Sequence, residues 1–335
     1  DAAHLLAPVA VASSLGLGHL RTPLIAPFTL GINGNAITVT NALHADIMAE
    51  VEGDPIDPSV TARALARVVA RRKAAGREPL TFGMTFPFST HNYQLRFWMA
   101  SGGIDPDEDI RLVVLPPPFM VESIVNGQVD AFCVGAPWNS VAVDLGVAHI
   151  LHFVSEILER AAEKVLAMRT DWAVRHPATV EALVRAHGKA AAFAEVPENQ
   201  EEVAHLLSAA NRLGVAPEVI LRTLQGRLKV SPDGAIRSSD SYLMIGREAA
   251  ARPDPVQAAW LYAQMVRWGQ APLSDALREA AMRVFRPDIY DRVLGGSGPL
   301  RRGKPQDGVG AFAGPPFDPA DIAGHLAPWR VHRRL

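Results

Sequence analysis

Residues 80–138, LTFGMTFPFSTHNYQLRFWMASGGIDPDEDIRLVVLPPPFMVESIVNGQVDAFCVGAPW, decide the fold. An apolar run ends at Met84, and a polar loop, Ser89-Thr90-His91-Asn92, leads into helical spacing over residues 93–100 that Gly102-Gly103 terminates. Residues 112–115 then read as a buried strand, 120–126 as a short helix and 129–134 as a third strand. Such βαβαβ order implies a parallel sheet whose polar loops lie at the carboxyl ends of its strands, where small ligands bind. The first helix start sets backbone N–H groups beside a hydroxyl and an imidazole. That group suits a small anion better than a nucleotide.

Working outward, 335 residues at 48% hydrophobic content support a large core in one domain or two lobes, an α/β protein in either case. The net charge of −2 gives no global field toward nucleic acid or an anionic membrane, so partners are recognised locally. Cys133, the only cysteine, sits in an apolar strand, which excludes an intrachain disulfide and a multi-cysteine zinc site and reads as core. No run of eighteen apolar residues occurs, and no charged leader opens the chain.

Residues 1–8 and 130–137 match at Asp-Ala and at Ala-Pro with the same spacing, and each continues into a small-residue helical stretch. The echo predicts two lobes of like topology, with the N-terminal part of lobe 1 lying outside the chain. Lobe 1 is expected over 1–79, completed by 162–294, and lobe 2 over 80–161. Residues 24–30 and 36–40 are strand-like and flank Gly31-Ile32-Asn33-Gly34-Asn35, whose Asn-Gly pair favours a tight reversal. Asp57-Pro58 caps a helix with an apolar face at Ala62, Leu65, Val69 and Ala70; its Arg63, Arg67, Arg71, Arg72 and Lys73 read as a solvated face rather than an RNA contact. After a short strand over 165–168 the pattern is helical: 178–193, 199–208, 217–224, 256–268 and 273–284. Trp260, Met265 and Trp268 read as core. Residues 295–335, rich in glycine and proline and ending WRVHRRL, read as a tail with a basic end.

No GxSxG, GxGxxG after a strand or GxxxxGK[ST] occurs, and His149 and His152 have no further ligand at metal spacing. Neither a cofactor nor a metal is expected. The acidic run Asp105-Pro106-Asp107-Glu108-Asp109 reads as a solvated loop rather than a calcium site. Two residues stand out: His91 on its polar loop, and Lys164 at a strand start within EKVLAMRTDW.

Around these residues the sequence resembles the nitrate and bicarbonate solute-binding proteins of ABC transporters, the NrtA/CmpA group. TFPxxTH ends at His91, the SGGIDP turn follows, VxPPxxM precedes a helix, FCVGxPW ends at Trp138, and EKVLAMRTDW lies beyond; the likeness spans roughly residues 1–294. It implies a two-lobed, type II periplasmic-binding-protein fold with the ligand in the cleft. It also implies a ligand set of His91, Thr90 beside it, Lys164, and Asn35 where relatives carry glutamine. The shorter amide reaches less far. A tryptophan of the relatives would precede Asp1, and Gly135-Ala136-Pro137-Trp138 lacks the glutamate of their GEPW. Bicarbonate-binding members carry a carboxylate at the position of Lys164 to hold calcium, so the lysine favours nitrate or nitrite.

The resemblance implies no enzyme. It implies a receptor for a small oxyanion that hands ligand to an ABC permease and ATPase on the periplasmic side of the inner membrane, when a leader precedes Asp1. Signal-less cytoplasmic relatives instead sense nitrate or nitrite and hold an RNA-binding antiterminator, with no direct nucleic-acid contact of their own. A thiamin-pyrimidine synthase shares the fold, but its cysteine-rich motif and phosphate loop are absent here.

Overall fold

Strands and helices alternate through the first half of the chain: β1 (Ala2–Leu6), α1 (Ala7–Leu15), β2 (Leu24–Asn33), β3 (Asn35–Thr40), α2 (Asn41–Ala49), α3 (Pro58–Ala74), β4 (Leu80–Met84), α4 (Thr90–Ser101), β5 (Ile110–Val114), α5 (Pro117–Val125), β6 (Ala131–Gly135), α6 (Trp138–Asp144) and β7 (Ala148–Phe153). Helices dominate the second half: β8 (Ala162–Arg169), α7 (Thr170–Arg175), α8 (Pro177–Glu195), α9 (Gln200–Ser208), α10 (Pro217–Leu224), β9 (Arg227–Lys229), β10 (Ile236–Ser238), β11 (Leu243–Met244), α11 (Pro255–Arg267), α12 (Asp275–Val284), α13 (Pro287–Leu294) and α14 (Ile322–Leu326). This computed structural model describes residues 1–19, 21–295, 305 and 307–333. Among them, no helix is long and apolar enough to cross a membrane.

Two sheets organise two lobes. One has the order β1-β8-β2-β11 and is antiparallel throughout; the other has the order β5-β4-β6-β3-β7. In the second sheet β4 runs parallel to β5 and β6, as the βαβαβ reading requires, while β3 is antiparallel to β6 and β7. The two echoed octapeptides fall on strand-to-helix junctions, β1–α1 in the first sheet and β6–α6 in the second.

The Asn-Gly pair does not reverse the chain. Asn33 at φ 61° and Gly34 at φ 86° take left-handed conformations, and the strand continues out of one sheet into the other, where Asn35 pairs with Gly135. The reason is burial: Ala36, Ile37 and Val39 are fully buried in the second sheet, which a fold back onto β2 would deny them. Residues 35–79 therefore belong with the second sheet, and the lobe boundary expected at 79 falls at Gly34. Asn33 stitches the crossing, since Nδ2 donates to Glu159 O (2.8 Å) and Ser241 O (3.0 Å), and Oδ1 accepts from Ala161 N (3.0 Å). Both chain crossings between the lobes are thus tied by one amide.

Local chemistry explains the helices that frame the cleft. Asp57 caps α3 by accepting from Ser59 N at 2.7 Å, and Arg67, Arg71 and Lys73 pair with Glu50, Asp46 and Asp109, so the basic face is largely neutralised in place. In α4, Ser89 accepts from Asn92 N at 3.1 Å, so Thr90 and His91 form the helix's first turn rather than a loop. Tyr93, Leu95, Phe97, Trp98 and Met99 are fully buried on all sides of α4, which explains why no amphipathic stripe marks it. At its end a side chain on Gly102 would collide with Ala62 O, 2.4 Å away, so glycine permits α3 and α4 to close up.

The C-terminal stretch departs most from expectation. Instead of a tail, residues 307–333 form a strap: Val309, Phe317, Ile322 and Trp329 are buried in the main core. Leu158 bridges Ala311 beside the crossing, Trp329 lies over the Arg267 guanidinium at 4.0 Å and against Phe97 at 4.9 Å, and Arg333 reaches Asp105 at 2.6 Å. Glycine and proline here fit turns around Asp307, whose carboxylate accepts from Val309, Gly310 and Phe317 N–H groups. The remainder of the expected tail, residues 296–304, 306 and 334–335, lies outside the described residues. Trp329→Ala is expected to cost about 3–5 kcal/mol, the scale for deleting a buried tryptophan. A urea midpoint equal to that of the parent would show that the strap adds no packing energy.

Candidate functional site

The functional groups meet where the two sheets face each other, at a cleft of about 380 Å³. Strand β8 supplies its floor. Gly31 of β2 pairs with Lys164 but Ile32 pairs with Ala162, so Glu163 is an extra, bulged residue. In a regular strand neighbours point to opposite faces; the bulge re-aims Glu163, and both Glu163 and Lys164 line the cleft. Strand β3 contributes Asn35 to the lining, while helix α4 places His91 and Gln94 behind it, buried near Glu163 and outside the cleft lining.

Glu163 is the hub. The residue is 4% exposed; its carboxylate accepts from Asn35 Nδ2 at 3.0 Å and contacts Lys164 Nζ closely, while His91 Nε2 stands 3.3 Å from Oε1 but is not aligned as a hydrogen bond. Burial alone would raise its pKa; the positive charge of Lys164, the imidazole of His91 and the Asn35 amide overcome this and hold it down at about 2. Burial drives His91 the other way, down to about 4, with Lys164 adding to the shift and Glu163 opposing it. At neutral pH the floor therefore carries a carboxylate, an ammonium and a neutral imidazole. Thr85 Oγ1 fixes the other ring nitrogen of His91, Nδ1, at 2.9 Å.

Three of the four expected residues, His91, Asn35 and Lys164, come together around Glu163. Thr90 does not join them: its hydroxyl donates to Ala162 O at 3.3 Å, tying α4 to β8. Asn35 Oδ1, His91 Nε2 and Gln94 Nε2 are buried there without protein partners. Glu163, Gln94, Thr85 and His4, which also borders the cleft, escaped the sequence reading. Only Glu163 carried a signal, as the residue before Lys164 in EKVLAMRTDW. Above the floor, the wall is aliphatic, formed by α9, α10 and the turn around β11.

Away from the cleft, His152 is wholly buried between Thr61 Oγ1 (2.6 Å) and Glu156 Oε2 (3.1 Å), and His149 stacks on His44 at 3.9 Å. Both are packing residues. Among the described residues no group of three or more His, Cys, Asp or Glu is placed to hold a metal ion. Cys133 is buried in β6, and Trp260, Met265 and Trp268 lie in the core.

Two lobes, two crossings and a polar floor between facing sheets define a periplasmic-binding-protein-like fold. The chain belongs to the NMT1-like family, whose signature it matches over residues 1–208. It superposes on the periplasmic nitrate-binding protein NrtA of Synechocystis with a TM-score of 0.85 at 25% identity, covering 99% of this chain and 84% of that one. In sequence it is 29% identical to the nitrate import ATP-binding protein NrtC of Synechocystis sp. over its whole length, and 31% identical to the bicarbonate transport ATP-binding protein CmpC of Synechococcus elongatus over 99% of its length. It spans 48% and 47% of those two proteins.

The depressed pKa values fix a pH response. For both groups the unfolded chain binds more protons, so their contribution is complete above the unfolded pKa and is lost as pH falls toward the folded one. His91 sets a window from 6.5 down to about 4, and Glu163 one from 4.5 down to about 2. Urea midpoints should fall through the first window in the parent and fall less in His91→Gln. Equal slopes would show that the buried imidazole is not neutral.

Proposed function

We propose that the chain is the solute-binding component of an ABC importer and that its ligand is a small planar oxyanion, nitrate or nitrite, held at Lys164. The observation that carries this reading is the ammonium at the cleft floor. Its side chain is 29% exposed, it spends a contact on Glu163, and an ammonium has three donors, so N–H groups remain for a ligand. A weakly basic planar anion gains most from such a charged donor. Names of the relatives point to both nitrate and bicarbonate, and the floor favours the former: a calcium-bridged bicarbonate needs free carboxylate oxygens, whereas both oxygens of Glu163 are engaged, by Lys164 and Asn35.

In this reading Lys164 binds, while Asn35 holds Glu163 by a hydrogen bond, His91 packs against it, and Glu163 orients Lys164. Asn35 therefore acts through the floor, since its one donor group, Nδ2, is committed to Glu163 and to Gln94 Oε1 at 3.3 Å. Ligand bridging the lobes favours the closed form, which is the state a permease and its ATPases would read. No reaction is required of any of these groups.

Titration calorimetry with nitrate, nitrite, and bicarbonate with and without calcium tests the assignment. Lys164→Ala should weaken nitrate or nitrite binding by about 1.5–3 kcal/mol, the scale for a lost charge-assisted hydrogen bond, and His91→Ala should lose less because it touches the floor rather than the ligand. Undiminished affinity in Lys164→Ala would remove the lysine from the site. In Lys164→Glu nitrate binding should vanish; retention of tight nitrate binding there would refute the charge argument.

A further inference from the structure

The cleft is larger and greasier than an inorganic anion requires. Nitrate has four heavy atoms and takes the place of about two waters, each with a share of roughly 30 Å³, whereas a volume of about 380 Å³ lies in the range that holds organic ligands. The excess space has a definite chemistry. Leu207 of α9, Leu213 between the helices, Ile220 and Leu224 of α10, and Leu243 and Ile245 at β11 make one wall facing the floor that carries Lys164. Leu207, Leu213 and Leu224 are only partly buried although they border the apolar cluster of Ala204, Val215, Val219 and Ile220, so they still offer apolar surface to the cleft. One cationic donor beside an aliphatic wall is complementary to an anion with an aliphatic tail.

Geometry selects the head group. A carboxylate presents two oxygens in a plane as nitrate does, with carbon replacing the third oxygen, so a donor suited to planar nitrate suits it too. Charge selects a single ionised group. Lys164 is the one lysine or arginine among the described residues lining the cleft, so a second negative charge on the ligand would have no counter-charge and would lie desolvated against leucines. We propose that the cleft also binds straight-chain aliphatic monocarboxylates of four to six carbons, head at Lys164 and chain along the α9–α10 wall. This rests on the reading of Lys164 as an oxyanion site and extends it to the ligand's other end.

The test is calorimetry on the full chain at fixed ionic strength with nitrate, acetate, butanoate, hexanoate, 1-hexanol and hexanedioate. Affinity should rise about threefold to fourfold per added methylene, the ratio for burying one CH2 group. Hexanol and hexanedioate should bind far more weakly than hexanoate, Lys164→Met should lose hexanoate, and Leu207→Asn should flatten the dependence on chain length. Nitrate binding with a flat carboxylate series would overturn the inference and leave the oxyanion reading standing. Hexanol binding as tightly as hexanoate would overturn the role of Lys164 as the head-group site. A rising series without nitrate binding would support the wall and overturn nitrate as ligand, and no binding of any anion would overturn both readings.

Discussion

A carboxylate buried between two sheets has to be neutralised where it stands, and the cleft is arranged around that demand. Ionised Glu163 would cost several kcal/mol without partners. Its surroundings come from three separate parts of the chain: Lys164 beside it on β8 carries the counter-charge, Asn35 from β3 after the first crossing donates a hydrogen bond, and His91 from the opening turn of α4 packs 3.3 Å away. The first belongs to one sheet, the other two to the opposite lobe. Satisfying one charge therefore fixes how the two lobes face each other, and the same contacts leave Lys164 as the donor turned toward the open cleft.

The second constraint is the crossing. A chain that leaves one sheet and enters another exposes backbone groups at the join, and these need partners. Asn33 supplies them with a single side chain, and its left-handed backbone conformation lets Gly34 redirect the strand. The bulge at Glu163 lies opposite on β8. Irregular backbone on both sides of the junction thus gathers polar groups that regular pleating would have sent to opposite faces.

These features divide what the sequence could disclose from what it could not. The strand and helix pattern of 80–138 is set by local periodicity and punctuation, so β4, α4, β5, α5 and β6 were legible, and the joined motifs singled out His91 and Lys164, which the structure brings to one carboxylate. The fate of Asn33-Gly34 was not. An Asn-Gly pair permits a reversal and a crossing equally, and only burial of Ala36, Ile37 and Val39 in the second sheet decides between them. Glu163 was hidden for a related reason: alternation sends it away from Lys164, and the bulge that brings it back depends on pairing with Gly31 and Ile32. The strap was misread because glycine and proline mark turns whether or not the turns are packed; Phe317, Ile322 and Trp329 were the residues to weigh.

That strap changes how the molecule assembles. Arg333 meets Asp105 across 228 residues of chain, and Trp329 covers a helix from each lobe, α4 through Phe97 and α11 through Arg267. Contacts so distant in sequence close a long loop, whose entropy has to be offset before they stabilise the fold. Once formed they couple the stability of the two halves. Two lobes linked by crossings alone could melt separately, whereas a buried strap packed on both couples the unfolding of one to that of the other.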